Sequence, residues 1–159
     1  MTTVEETAEK IRSMEIRGAG RIARAGADAL KEYAESYAGD TLEGFLAGLA
    51  SAQDALLASR PTAVSLWNGI HATVRGAESA ADLESARTMV VRNAGDFRRR
   101  SEMAVKEIAR IGARRIQDGD TILTHCNSSA ALGVIKEAHR QGKHIRVFAT
   151  ESRPWRQGM

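Results

Sequence analysis

Residues 119 to 150 read GDTILTHCNSSAALGVIKEAHRQGKHIRVFAT, and this stretch decides the fold. QDGD, at 117–120, leads into it with the residues that favour a tight turn. TILT then reads as a short buried strand, because its branched apolar residues suit a pleated surface. NSSAALGVIKEAHRQG has helical spacing and stops at Gly142, and HIRVFAT reads as a second strand. Strand, helix and strand within about thirty residues make a βαβ unit, whose two strands run parallel. Parallel sheets are normally covered on both faces by further units, so two strands alone are not a stable module. With Met159 following soon after the second strand, a truncated sheet, or one completed by a partner chain, is expected.

Upstream of residue 117 the pattern is helical throughout. Thr3-Val4-Glu5-Glu6 has capping-box spacing and opens a helix to about Ser13. A longer helix follows over 21–37, with Ile22, Ala25, Ala29, Tyr33 and Tyr37 on one face. Asp40 to Glu43 starts another, carrying Phe45, Leu46, Leu49 and Leu56 and ending near Ser59. Pro61 suits the first turn of the next helix, where its missing N–H costs nothing. Val64, Trp67, Ile70 and Val74 then recur at helical steps, which predicts Trp67 in the core. Ser79 to Asp82 caps a helical region running from about Ala81 through Ile116, with Gly95 a candidate break and Gly112 a lesser one. The expected fold class is therefore α plus the start of α/β. A helical domain over 1–116 is followed by a truncated Rossmann-like domain over 117–159.

Bulk properties narrow the function. The 159 residues are 43% hydrophobic but only 4% aromatic, so the core is aliphatic and closely packed. A net charge of +3 tolerates anionic ligands but is too small to indicate nucleic-acid binding. FRRR, at 97–100, reads as a solvated helix face. One cysteine excludes an internal disulfide and fits a reducing compartment. No apolar run approaches the ~20 residues that span a bilayer, and the charged N-terminus has no signal-peptide core. A cytoplasmic protein with no membrane partner is expected. His71, His139 and His144 lack metal-ligand spacing to each other or to Cys126, so neither a metal nor another cofactor is expected.

Four junctions carry the chemistry. Cys126 follows TILT and precedes a helix capped by Asn127 or Ser128, at the strand edge where open α/β sheets bind ligands. A helix N-terminus there stabilises thiolates and phosphates. A lone cysteine is nonetheless more often a small buried hydrophobe, and position alone leaves the two roles evenly matched. Arg17-Gly18-Ala19-Gly20 offers a guanidinium and open backbone N–H groups, although a glycine-containing helix junction accounts for it as well. Arg60, before Pro61, and Arg153, beside Glu151, sit at two further junctions. Arginines so placed suit a substrate with more than one phosphate.

Taken together, IRGAG (16–20), SRPTAVSLWNGI (59–70), GDTILTHCNSSA (119–130) and TESRPWRQG (150–158) resemble a known family. In that order and spacing they are similar to the ribose-1,5-bisphosphate isomerases of archaea, relatives of methylthioribose-1-phosphate isomerase and of the regulatory subunits of translation initiation factor two-B. THCNSSA and RGAG stand nearer the bisphosphate branch than the THCNTG and RGAP usual in the methylthioribose enzymes. The resemblance implies a helical domain before a Rossmann-like one and an aldose–ketose isomerisation without cofactor. It implies Cys126 as the catalytic base. Arg17, Gly18, Ala19, Gly20, Arg60 and Arg153 would hold the sugar bisphosphate, with Asn127 and Ser128 binding or orienting it. Family members are about twice this length, as a complete second domain requires, and the acid, an aspartate, lies in their second half. The resemblance thus implies an N-terminal half that is inactive alone and a homo-oligomer, dimer or hexamer, at full length. The rival readings are a non-catalytic regulatory subunit of the initiation-factor type, methylthioribose-1-phosphate isomerase, and a helical module that docks its βαβ end on a partner.

Overall fold

The computed structural model describes residues 3–154 and 156. The chain is mostly helical, with a two-stranded parallel sheet at its C-terminal end. It divides into two compact units, Met1–Ser101 and Glu102–Met159.

In the first unit, α1 (Thr3–Arg12), α2 (Ala19–Ser36), α3 (Leu42–Ser59), α4 (Val64–Val74) and the first part of α5 (Leu83–Ala113) surround one aliphatic core. Ile11, Leu30, Phe45, Leu56, Leu66, Ile70 and Val90 are fully buried in it. Tyr33 and Tyr37 pack on the Phe45 ring, at centroid distances of 5.6 and 5.3 Å, and Tyr33 Oη donates to the Phe45 carbonyl at 2.9 Å. Burial, and secondarily the neighbouring Tyr37, pushes the Tyr33 phenol up. The Thr41 hydroxyl accepts from Gly44 N at 3.2 Å and so caps α3. Asp82 caps α5 in the same way, taking Ser85 N at 2.7 Å, and this hydrogen bond holds its carboxyl below the usual range.

The C-terminal carbonyls that a helix leaves unpaired are met here by side chains from α5. Arg87 donates to Ala34 O and Glu35 O at the end of α2, at 2.9 and 3.1 Å. Asn93 Nδ2 donates to Thr73 O and Arg75 O at the end of α4, at 3.1 and 2.9 Å. These contacts tie one helix to the ends of two others and explain polar residues within a long helix.

The second unit holds the rest of α5, then β1 (Thr121–His125), α6 (Ser129–Arg140) and β2 (Arg146–Thr150). β1 and β2 pair in parallel, from Thr121 opposite Arg146 to His125 opposite Thr150. Lys143 Nζ caps α5 by donating to Ala113 O and Ile116 O, both at 2.6 Å. Asp118 takes His144 N at 2.6 Å, and that backbone N–H holds its carboxyl below the usual range.

Four expectations need correction. TILT is not a buried strand: Leu123 is 73% exposed, and every residue of β2 is exposed, because two strands with one crossover helix leave a sheet face uncovered. Pro61 does not enter a helix. It lies in a turn closed by Ala63 N on Arg60 O, and α4 begins only at Val64. Trp67 is 53% exposed and stacks on His71, while Leu66, Gly69, Ile70 and Thr73 face inward. The reason is Gly69, whose missing side chain lets α4 approach the Ala23 carbonyl of α2. Gly95 breaks nothing, since one glycine costs roughly 1 kcal/mol, little against a helix of 31 residues.

Candidate active site

Cys126 sits between the end of β1 and Ser128, whose hydroxyl takes Ala131 N at 3.3 Å and caps α6. Its backbone is left-handed, with φ 59°, a conformation that a residue with a Cβ adopts at a cost. The thiol is half-buried and in no disulfide. Asn127 and Ser128, both exposed, fill the short connection from the thiol to the helix start. The carboxyl ends of the two strands are joined side chain to side chain, with His125 Nδ1 and Thr150 Oγ1 sharing a hydrogen bond of 2.5 Å.

The segment after β2 turns at the same edge. Glu151 draws two cations, Arg153 at 3.6 Å and Arg156 at 3.8 Å. Arg156 is left-handed too, with φ 48°. Between them Ser152 carries a buried hydroxyl without a hydrogen-bond partner among the described residues. A buried hydroxyl ordinarily finds a partner, so Ser152 joins the candidates. TESRPWRQG contains it, but only Glu151 and Arg153 were singled out there, because a serine is orphaned only by its surroundings. Trp155, Gln157 and Gly158 of the same segment lie outside the described residues.

In the first unit, Arg17 and Gly18 precede α2, which begins at Ala19. Gly18 has φ 92°, which only glycine adopts readily, and it turns the chain into the helix without a side-chain cap. The preceding turn contains Met14, left-handed at φ 65°, and Ile16 N returns to Lys10 O at 2.8 Å. Arg60 reaches this turn, its Nη1 lying 3.1 Å from Met14 Sδ. The structure therefore brings Arg60 to the turn that leads into Arg17–Gly20. It likewise gathers Cys126, Asn127 and Ser128 at one strand end, with Glu151, Ser152 and Arg153 following the neighbouring strand. The first group belongs to one unit and the second to the other.

One pattern links these segments. Among the described residues the non-glycine positions with positive φ are Met14, Cys126 and Arg156, the last two within junctions named from the sequence and Met14 in the turn just before a third. Such conformations cost about 1–3 kcal/mol each and persist where the surroundings impose them, frequently at functional sites.

The initiation factor 2 subunit family matches residues 15–159. The chain belongs to this family. It is 51% identical to a ribose 1,5-bisphosphate isomerase of Archaeoglobus fulgidus, over 99% of this chain and 49% of that protein. It is 40% identical to a methylthioribose-1-phosphate isomerase of Geotalea uraniireducens, over 99% and 48% respectively. Among solved structures, a Pyrococcus horikoshii translation initiation factor eIF-2B superposes with a TM-score of 0.82 at 30% identity, covering 98% of this chain and 52% of that one. The chain thus spans about half the length of the curated relatives it matches.

Proposed function

We propose that this chain supplies the N-terminal half of an isomerase converting ribose 1,5-bisphosphate to ribulose 1,5-bisphosphate. The observation that carries the reading is Cys126, held left-handed at the carboxyl end of a parallel strand and directly before a capped helix. A reactive group is favoured at that place by the fold and by the anion-stabilising helix start. The higher identity to the bisphosphate relative than to the methylthioribose relative supports the choice of substrate.

In the reaction, phosphate on C1 prevents opening to a free aldehyde. Cys126 as thiolate takes the C2 proton while an acid protonates the ring oxygen, and the C1–O bond breaks. The Cys126 thiol returns a proton to C1 of the resulting enol phosphate while the deprotonated acid takes the C2 hydroxyl proton, giving the C2 ketone with no outside oxidant. Arg17, the Gly18–Ala19–Gly20 backbone, Arg60 and Arg153 bind the phosphates, and Asn127, Ser128 and the Ser152 hydroxyl orient the sugar. The acid belongs to the remaining half of the molecule. In this reading residues 1–116 form the helical domain and 117–159 begin the Rossmann-like one. The complete protein is a cytoplasmic homo-oligomer. No helix among the described residues is long and apolar enough to cross a membrane.

The test joins this chain to the C-terminal half of the Archaeoglobus relative and follows ribulose 1,5-bisphosphate formation. Turnover by the chimera, with C126S slower by about 10³ or more, is expected for loss of an essential base. Equal rates for the two sink the role of the thiol. Turnover of methylthioribose 1-phosphate alone moves the protein to the other isomerase. A folded, assembled chimera that isomerises neither sugar favours the regulatory subunit.

A further inference from the structure

Within the first unit, α4 and α5 line an open surface cavity of about 780 Å³, whose arginines are exposed. Its lining includes Arg75, Arg92, Asp96, Phe97 and Arg100, and none of Arg17 to Gly20 or Arg60. Several arginines of the first unit are spent on carboxylates, as Arg12 is on Glu9 and Arg98 on Asp28. The guanidinium groups of Arg75, Arg92 and Arg100 have no hydrogen bond or ion pair among the described residues.

The geometry keeps them unpaired. Arg92, Asp96 and Arg100 follow one another at four-residue steps along one face of α5, so Asp96 has a cation one turn away on either side. Its carboxylate is taken instead by Arg99. Arg92 and Arg100 start about 12 Å apart along the helix, a span that two flexible side chains close onto one ligand. Arg75 stands opposite, and the Asn93 bonds to Thr73 O and Arg75 O fix the backbone that carries it. Phe97 adds an apolar ring to the wall.

We propose that this cavity binds a small organic phosphate carrying at least two negative charges. Guanidinium groups match phosphate with paired, charge-assisted hydrogen bonds. The volume falls in the range of small-molecule sites and exceeds what one inorganic phosphate fills. The Phe97 ring provides a surface for the organic part. The inference is independent of the isomerase reading, because it uses none of the residues assigned to the reaction.

The experiment uses the 159-residue chain and pyrophosphate as probe, followed by calorimetry at constant ionic strength with sulfate for comparison. Saturable binding is expected, with pyrophosphate preferred over sulfate. R92Q/R100Q should bind at least about tenfold more weakly and R75Q about fivefold, as loss of charge-assisted hydrogen bonds implies. D96N should bind more tightly. R17Q and C126S should bind as the parent does, which separates this site from the proposed reaction. A control pair, R12Q/R140Q, removes the same charge elsewhere. If that control weakens binding as much as R92Q/R100Q does, only net charge is being read and the proposal falls. It falls equally if sulfate binds as well as pyrophosphate, or if a short RNA competes through the same arginines with higher affinity.

Discussion

The two units follow the same rules of composition and reach opposite states of burial. In the first, Leu30, Phe45, Leu56, Leu66 and Ile70 are wholly enclosed by four or five helices. In the second, Ala113 and Ala138 are buried, while Leu123, Val147, Phe148, Ile108, Ile111 and Leu132 remain open. A helix hides an apolar stripe against any neighbouring helix, so a few helices close a core. A parallel strand needs a layer on each face, and one crossover helix supplies a single layer. Branched apolar residues therefore mark where burial is required, and the number of layers decides whether it occurs.

The largest expected effect tests this contrast directly. Leu30→Ala empties a fully enclosed site and should cost about 2–5 kcal/mol in urea denaturation. Leu123→Ala, at a position 73% exposed, should change stability by less than about 0.5 kcal/mol. Equal losses would mean that the β1 face is covered in solution. Hydrogen exchange sharpens the point, since β1 and β2 amides should exchange well before those of α2 if the second unit opens at lower cost.

Gly69→Ala comes next. A Cβ there would lie 2.8 Å from the Ala23 carbonyl oxygen and 3.2 Å from the Phe97 ring. The carbonyl is part of α2 and cannot rotate away, so α4 must move. The gain in helix propensity, about 1 kcal/mol, is smaller than the strain of overpacking, about 1–3 kcal/mol. A net loss of about 1 kcal/mol is expected in the same assay, and a stabilised variant would show that the helices separate easily. Gly133→Ala faces Ala109 Cβ at 3.3 Å and no rigid carbonyl nearer than 3.7 Å, so it should be tolerated better.

These sites also show what the sequence made legible. The βαβ unit was readable because strand and helix periods alternate over a short span: β1 covers TILT and one residue more, His125, and β2 lies within HIRVFAT. The frame of α4 was not, because Leu66 and Trp67 are adjacent and both complete a helical stripe. Only the close approach at Gly69, a relation to another helix, selects Leu66. The junctions named for the site were visible as arginines, glycines and a cysteine beside turns. The left-handed backbones within or just before them, at Met14, Cys126 and Arg156, were not, since these residue types carry no signal for positive φ. FRRR does form a solvated face, with Arg98, Arg99 and Arg100 all exposed, but the pairing of its arginines was not readable. Whether Arg100 finds a carboxylate depends on what packs opposite, and its neighbour Arg99 took the one available.

Caps give a smaller effect. Thr41→Ala removes the hydroxyl that takes Gly44 N and should cost about 1 kcal/mol, read from the urea midpoint of the first unit. Ser128→Ala removes the equivalent bond to Ala131 N in the second unit. There the helix lacks a deep core, so the loss should appear as faster exchange of the first α6 amides, with little change in the global midpoint. Identical responses at the two caps would erase the distinction between the units.

The smallest effect concerns Glu137 of α6. Its carboxylate accepts from Arg140 at two atoms, each at 2.8 Å, and from Gln141 at 2.9 Å. Hydrogen bonds from Arg140, then Gln141, lower its pKa from 4.5 to about 2. A depressed acid stabilises the folded form above its unfolded pKa and loses that contribution as pH falls through the folded value. The window therefore runs from about pH 4.5 down to about 2. Carbon-detected NMR should place the Glu137 midpoint near the bottom of that window, and Arg140→Gln should move it up. The accompanying change in stability should be slight, because the pair is exposed to solvent. If Glu137 instead titrates as an unperturbed glutamate in the parent chain, the last turn of α6 frays, and the uncovered unit is looser still than its backbone hydrogen bonds suggest.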